Sequence, residues 1–284
     1  MRNRTDLNAV LVVLSIRLFS NQRQDRAITD EVKSNKGLGN GAGKWVKYKL
    51  PDECLTPIRK FSGAVRQFHY DHTSPWDDGQ RLLSGKAREA YDARMAEFAT
   101  EFGKLADELT LEYPNWLEHA KIMHGGTYDA SDYPDTDSFR AQFGIDRCYF
   151  PVPKPEHFNN DLKELYGQAL VTLTEQKISQ AVQDAWERLL KPVTAMAEKL
   201  SSPDAIFRDS LVDNVKEMTA LIPELNLTND AKLIEAAEVI TSQLTNLNAD
   251  TLRESKVERK AVAEKAQEIL NRFGGLGKRK LATN

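Results

Sequence analysis

The sequence predicts a mainly α-helical chain with a small β element, on three observations. Along 162–200 the apolar residues recur mostly at gaps of three and four, from Leu162, Leu165, Tyr166, Ala169 and Leu173 to Trp186, Leu189, Val193, Met196 and Leu200. That spacing draws one stripe along one side of a helix. Beyond it, Ser202-Pro203-Asp204, Thr228-Asn229-Asp230 and Asp250 read as helix starts, because their side chains accept from free first-turn N–H groups. Strand-like patterning is confined to short runs near the N-terminus.

Taken in order, Ala9–Ile16 is an apolar run following Arg2 and Arg4. It resembles a signal peptide, but it ends at Arg17 without a small-residue cleavage site and is too short to span a bilayer. Its β-branched and leucine content fits a buried strand within 7–20. The polar stretch 21–44 ends in Gly37, Gly39, Gly41 and Gly43 and reads as a mobile loop. Trp45–Leu50 alternates apolar and charged residues before Pro51. It is the second strand, paired with the first as a hairpin with a long glycine-rich tip.

A helix is expected from Pro51 to Tyr70, broken by His72–Gly79, then another from Ser84 to Leu111 and a short one from Pro114 to Met123. Asp132-Tyr133-Pro134 reads as a turn, 137–143 as a short helix and 148–153 as an extended piece whose prolines keep it off a central strand position. Pro192 should kink the long helix. The next helix ends near Pro223, and the last runs from Asp250 to Phe273. The domain division is then an α+β region over 1–158 with its glycine loop at 37–43, a helical bundle or coiled-coil-like region over 159–275, and a basic flexible tail over 276–284.

The chain has 284 residues, 40% apolar and 29% charged, with a net charge of -3. This excludes a global electrostatic pull toward nucleic acid or an anionic membrane, so any basic patch must be local. Two cysteines far apart, Cys54 and Cys148, argue against a disulfide framework and fit a cytoplasmic setting.

Candidates for chemistry are few. Gly43-Lys44 lacks the phosphate-loop pattern, with Leu38 at the required glycine and Trp45 where a hydroxyl residue would bind magnesium. His69 and His72, with Asp77 near, form the one cluster of metal-ligand types, but the spacing needs a third ligand from elsewhere. A helix-end cap is the plainer reading. No nucleophile elbow or cysteine motif occurs, so the expectation is a protein that is not an enzyme and carries no cofactor or metal.

Several segments occur together in order: Phe68–Trp76, Asp132–Pro134, Phe150–Pro153, Phe207–Asn214 and Leu225–Asp230. In this set the chain resembles an uncharacterised family of phage and prophage proteins, a domain of unknown function. Its members are often encoded beside MoxR-type AAA+ ATPases and von Willebrand factor A-type proteins. The resemblance covers nearly the whole chain and transfers no catalytic residue. It implies a phage-derived cytoplasmic protein working next to an AAA+ ATPase.

Two functions from different classes follow. In the first, the helical arm is an interaction or assembly surface, with Leu173, Val182, Trp186, Leu189 and Val193 meeting a protein partner or a second copy. In the second, a nucleic-acid-binding protein of phage DNA metabolism uses Lys36, Lys44, Lys47 and Lys49 with the tail residues Lys278, Arg279 and Lys280 on phosphates, and Trp45 on bases. A metal-dependent enzyme at His69, His72 and Asp77 is a distant third, and no membrane partner is expected.

Overall fold

The computed structural model describes residues 7–202 and 205–276. The expected class holds. Among the described residues there are long helices, a small antiparallel sheet and a two-stranded ribbon. The basic tail with Lys278, Arg279 and Lys280 lies outside the described residues, as do two of the three residues read as the helix start at Ser202. The chain divides into two compact units. One takes the chain up to Val13, His69–Tyr91 and everything from Cys148, and the other takes Leu14–Phe68 and Asp92–Arg147. The expected boundary at residue 158 is therefore replaced by an interleaved one.

In the first unit, β1 (Ala9–Arg17) contributes its first residues to a sheet with a hairpin of β4 (Ser74–Asp77) and β5 (Gln80–Ser84). Val10 sits opposite Leu83 and Leu11 opposite Leu82. The segment 72–79, expected only as a break, turns back at Gly79 with φ 71°, which a glycine adopts without steric cost. The sheet order is β4-β5-β1-β6, with β6 (Gly144–Pro151) at an edge, as its prolines required.

The helical part of this unit is α5 (Asn160–Ser201), α6 (Ser210–Leu225), α7 (Ala231–Leu244), α8 (Ala249–Glu254) and α9 (Lys256–Phe273). Helix α5 is one element through Pro192. Helix α6 begins later than Ser202 and runs through Pro223. The single last helix expected from Asp250 is two, because Ser255 leaves helical geometry and caps α9 by accepting from the Glu258 N–H at 3.2 Å.

In the second unit, the 21–44 loop is not a loop. Strand β2 (Gln22–Asp25) leads into α1 (Arg26–Lys36), and the glycines return the chain to β3 (Trp45–Tyr48). Asp25 caps α1 through the Ile28 N–H at 3.0 Å, and Gly37 closes it at φ 63°. The hairpin partner of β3 is β2, not β1, with Arg23 opposite Lys47 and Asp25 opposite Trp45. Helices α2 (Asp52–Asp71), α3 (Arg88–His124) and α4 (Thr136–Arg140) complete the set. Helix α3 continues through Pro114, so the short helix expected to open there is its last turns. The core here joins Leu50, Leu55, Ile58, Phe102, Tyr113 and Phe139, with Tyr113 stacked on Phe139 at 3.8 Å between ring centres.

Candidate functional site

Helix α5 carries two different surfaces. From Ala185 onward it is core: Trp186, Leu189, Val193, Met196 and Leu200 pack with residues of α6, α7 and α9. Trp186 lies against Phe273, 6.3 Å between ring centres, and its indole N–H donates to Asp230 at 3.2 Å. Three of the five residues expected to meet a partner, Trp186, Leu189 and Val193, are therefore buried inside the chain, and Val182 is half-buried. The reason is the short capped helices that follow α5, which fold back and cover that stretch.

The first half of α5 differs. Its covered face is Gly167, Thr174, Ile178 and Ala181. A Cβ at Gly167 would sit 3.6 Å from Pro155, the Thr174 hydroxyl donates to the Pro153 carbonyl at 3.5 Å, and Ile178 and Ala181 pack with Leu11, Trp76 and Leu82. At about 100° per residue, Leu162, Leu165, Tyr166, Ala169 and Leu173 fall on the opposite side. Leu162 is 41% exposed, Leu165 70%, Tyr166 55% and Leu173 48%. An apolar stripe thus faces outward, and Leu173 is the one predicted contact residue that belongs to it.

The histidine cluster does not assemble. The ring nitrogen Nδ1 of His69 meets the Tyr91 hydroxyl at 2.7 Å, His72 Nδ1 meets Glu224 at 2.7 Å, and Asp77 reaches Lys177 at 3.7 Å. Each group is turned to a different partner. Among the described residues no three or more His, Cys, Asp or Glu could hold one metal ion.

Around them, two arginines satisfy the carbonyls at the end of α2. Arg81 donates to the Thr73 hydroxyl at 2.6 Å and carbonyl at 2.8 Å, and Arg188 donates to the Tyr70 carbonyl at 2.8 Å. Asp184 holds Arg188 at 2.9 Å. Burial raises the Asp184 carboxyl pKa, against the pull of Arg188. Cations belong at a helix C-terminus, where carbonyls lack intrahelical donors, so this network secures the fold.

Burial, with Arg81 nearby, lowers the His69 pKa from 6.5 to about 4. The unfolded chain then binds a proton that the folded chain refuses between those values, so stability falls as pH drops from 6.5 toward 4. The full shift is worth about 3 kcal/mol. In urea titrations at pH 7 and pH 4.5, His69→Gln should lose less stability on acidification than the parent. Equal losses would show that His69 does not carry this dependence.

Of the nucleic-acid candidates, Lys47 and Lys49 are turned inward. Lys47 reaches the buried Asp132 at 2.5 Å, and the Lys49 ammonium lies 4.1 Å from the centre of the Phe19 ring. Burial beside Arg23 lowers the Lys49 pKa. Lys36 and Lys44 are exposed, and Trp45 is 50% exposed on a small cleft with Lys33, Leu38 and Lys44. The glycines there lead into β3, not a helix, so they form no helix-start phosphate cradle. Cys54 donates to the Pro51 carbonyl at 2.9 Å, and burial pushes its thiol up to about 11, so it is held as an unreactive thiol.

No family model, curated protein or solved structure matches this chain. Among the described residues no helix is long and apolar enough to cross a membrane.

Proposed function

We propose that this chain is a helical docking protein, without chemistry of its own, that engages another helix through the outer face of α5. The observation that carries the reading is the exposed stripe of Leu162, Leu165, Tyr166 and Leu173, turned away from the face that the chain covers. A contiguous apolar strip left to water marks a contact surface. Helical spacing of its members suits helix-on-helix packing. An accessory role beside an AAA+ ATPase in the cytoplasm is part of this proposal, and its support is the sequence resemblance to phage and prophage proteins alone.

The second reading, nucleic-acid binding, keeps the half-exposed Trp45 beside Lys44 in its favour. It ranks lower because Lys47 and Lys49 are committed to Asp132 and Phe19.

The test is the double variant Leu165→Asp/Leu173→Asp. Its melting temperature should stay within roughly 2 °C of the parent, since surface substitutions cost about 0.5 kcal/mol or less. Intermolecular cross-links through the neighbouring exposed Lys163, formed in the cells that make the protein, should disappear. Cross-links that persist at the parental yield would remove the reading.

A further inference from the structure

We infer that the cleft between α1 and β3 binds a phosphate-bearing nucleobase unit, the phosphate at Lys33 and Lys44 and the base on the indole of Trp45. The inference rests on the second reading above, gives it a site, and is independent of the outer face of α5. The cleft has a volume of about 160 Å³, and Val32, Lys33, Leu38, Gly43, Lys44 and Trp45 are among its lining residues. Three other clefts among the described residues each carry two carboxylates: Asp52 and Glu53, Asp71 and Glu217, and Glu187 and Glu198. In a chain of net charge -3, this one is lined by two lysines and no acid. Neither lysine is ion-paired among the described residues.

Helix α1 concentrates positive charge at the cleft, to which it turns Thr29, Val32 and Lys33. At about 100° per residue, Lys36 falls within the same arc, whereas Asp30 and Glu31 fall about 110° and 150° from its centre. Trp45 is fixed against α1, because its backbone N–H donates to the Thr29 hydroxyl at 2.9 Å, yet the residue stays 50% exposed. An open aromatic face beside unpaired ammonium groups holds single strands by stacking bases and pairing with phosphates. The cleft is well below the roughly 300 Å³ of a pocket that encloses a small molecule, so the phosphate enters it and the base lies across the exposed indole. The glycines are a second, separate indication. Gly37 and Gly41, at φ 63° and 93°, are required by the backbone turn. Gly43 has no positive φ, and a Cβ there would meet nothing within 4 Å. Neither backbone conformation nor packing within the chain calls for glycine at 43, where the missing side chain lets a ligand come close to the backbone.

The experiment titrates the full chain with oligothymidylate, thymidine monophosphate and poly-glutamate, following tryptophan fluorescence at several salt concentrations. Trp76 and Trp186 are buried, so quenching that disappears in Trp45→Ala reports on the cleft. Oligothymidylate should bind, and Trp45→Ala should weaken it about tenfold, as for one lost base stack. Lys44→Ala should make the slope of log affinity against log salt shallower by about 0.7, the share of one phosphate contact on a single strand. Gly43→Ala should keep the parental melting temperature and still lose affinity, which a merely structural loop glycine would not do. Binding of the oligomer alone assigns the unit to a strand, and comparable binding of the monophosphate assigns it to a free nucleotide. Salt-sensitive oligomer binding that Trp45→Ala, Lys44→Ala and Gly43→Ala leave unchanged would overturn this site while the nucleic-acid reading stood. No binding of either nucleotide probe at low ionic strength would remove both. Equal quenching by poly-glutamate would assign the cleft to acidic protein segments and overturn the inference.

Discussion

Trp186→Ala is expected to destabilise the helical bundle by about 3–5 kcal/mol, and Trp186→Asp to unfold it. Trp186 is 3% exposed and belongs to the core that α6, α7 and α9 build over α5. Its truncation opens a cavity beside Phe273 and removes the donor to Asp230, the residue that caps α7 through the Lys232 N–H at 2.9 Å. An aspartate at 186 would in addition place an unpaired carboxylate among apolar groups. Losses of this size are about a fifth or more of a typical domain's total stability. Urea unfolding followed by far-ultraviolet circular dichroism measures both variants. Parental stability with loss of association would restore Trp186 as a partner contact and contradict the packing described here.

The second large effect is at Asp132. This carboxylate is 1% exposed and faces Arg23 and Lys47, with Asp25 at 3.7 Å from the same lysine. Neither carboxylate oxygen has a donor aligned on it as a hydrogen bond, so the attraction is mainly Coulombic. Lys47 is only 9% exposed along its side chain and cannot turn to water as Arg23 can. Asp132→Ala therefore leaves a nearly buried ammonium with the more distant Asp25 and a long hydrogen bond of 3.4 Å to the Thr127 carbonyl, and a loss of about 3 kcal/mol is expected. The loss should be local. Amide hydrogen exchange should quicken in α1, β2 and β3, which belong to the same unit. Asp132→Ala with Lys47→Met should recover part of the stability, since removing both charges leaves no orphan. A single variant within 1 kcal/mol of the parent would show that the pair only offsets its own desolvation.

The helices were legible because periodicity and caps are local signals. Asp230 and Asn159 cap the helices that follow them, through N–H groups at 2.9 Å in each case. Helix α1 was missed because it carries almost no apolar stripe, with only Thr29 buried. Its signals were the cap at Asp25 and the closing Gly37, eleven helical residues apart. The β4–β5 hairpin was also signalled, by Asp78-Gly79 between short apolar runs. Pro114 misled as the opening of a separate short helix because it is held in a longer packed helix, where tertiary packing outweighs the local cost of the ring.

The outward stripe was half legible. The sequence shows one continuous ridge from Leu162 to Leu200 but cannot show where α6, α7 and α9 cover it. That depends on residues tens of positions away, such as Phe273 against Trp186. Leu173 is among the contact residues that the sequence predicts, whereas Leu165 and Tyr166 show in it only as helix pattern. The inward turn of Lys47 was hidden for the same reason, since Asp132 is remote in sequence.

The central claim is that α5 is covered by its own chain in its second half and left for a partner in its first. Unfolding free energies of Leu173→Asp and Leu189→Asp, measured side by side, test it most directly. The expected loss is about 0.5 kcal/mol or less for Leu173→Asp and more than about 3 kcal/mol for Leu189→Asp. Comparable losses at the two positions would contradict it.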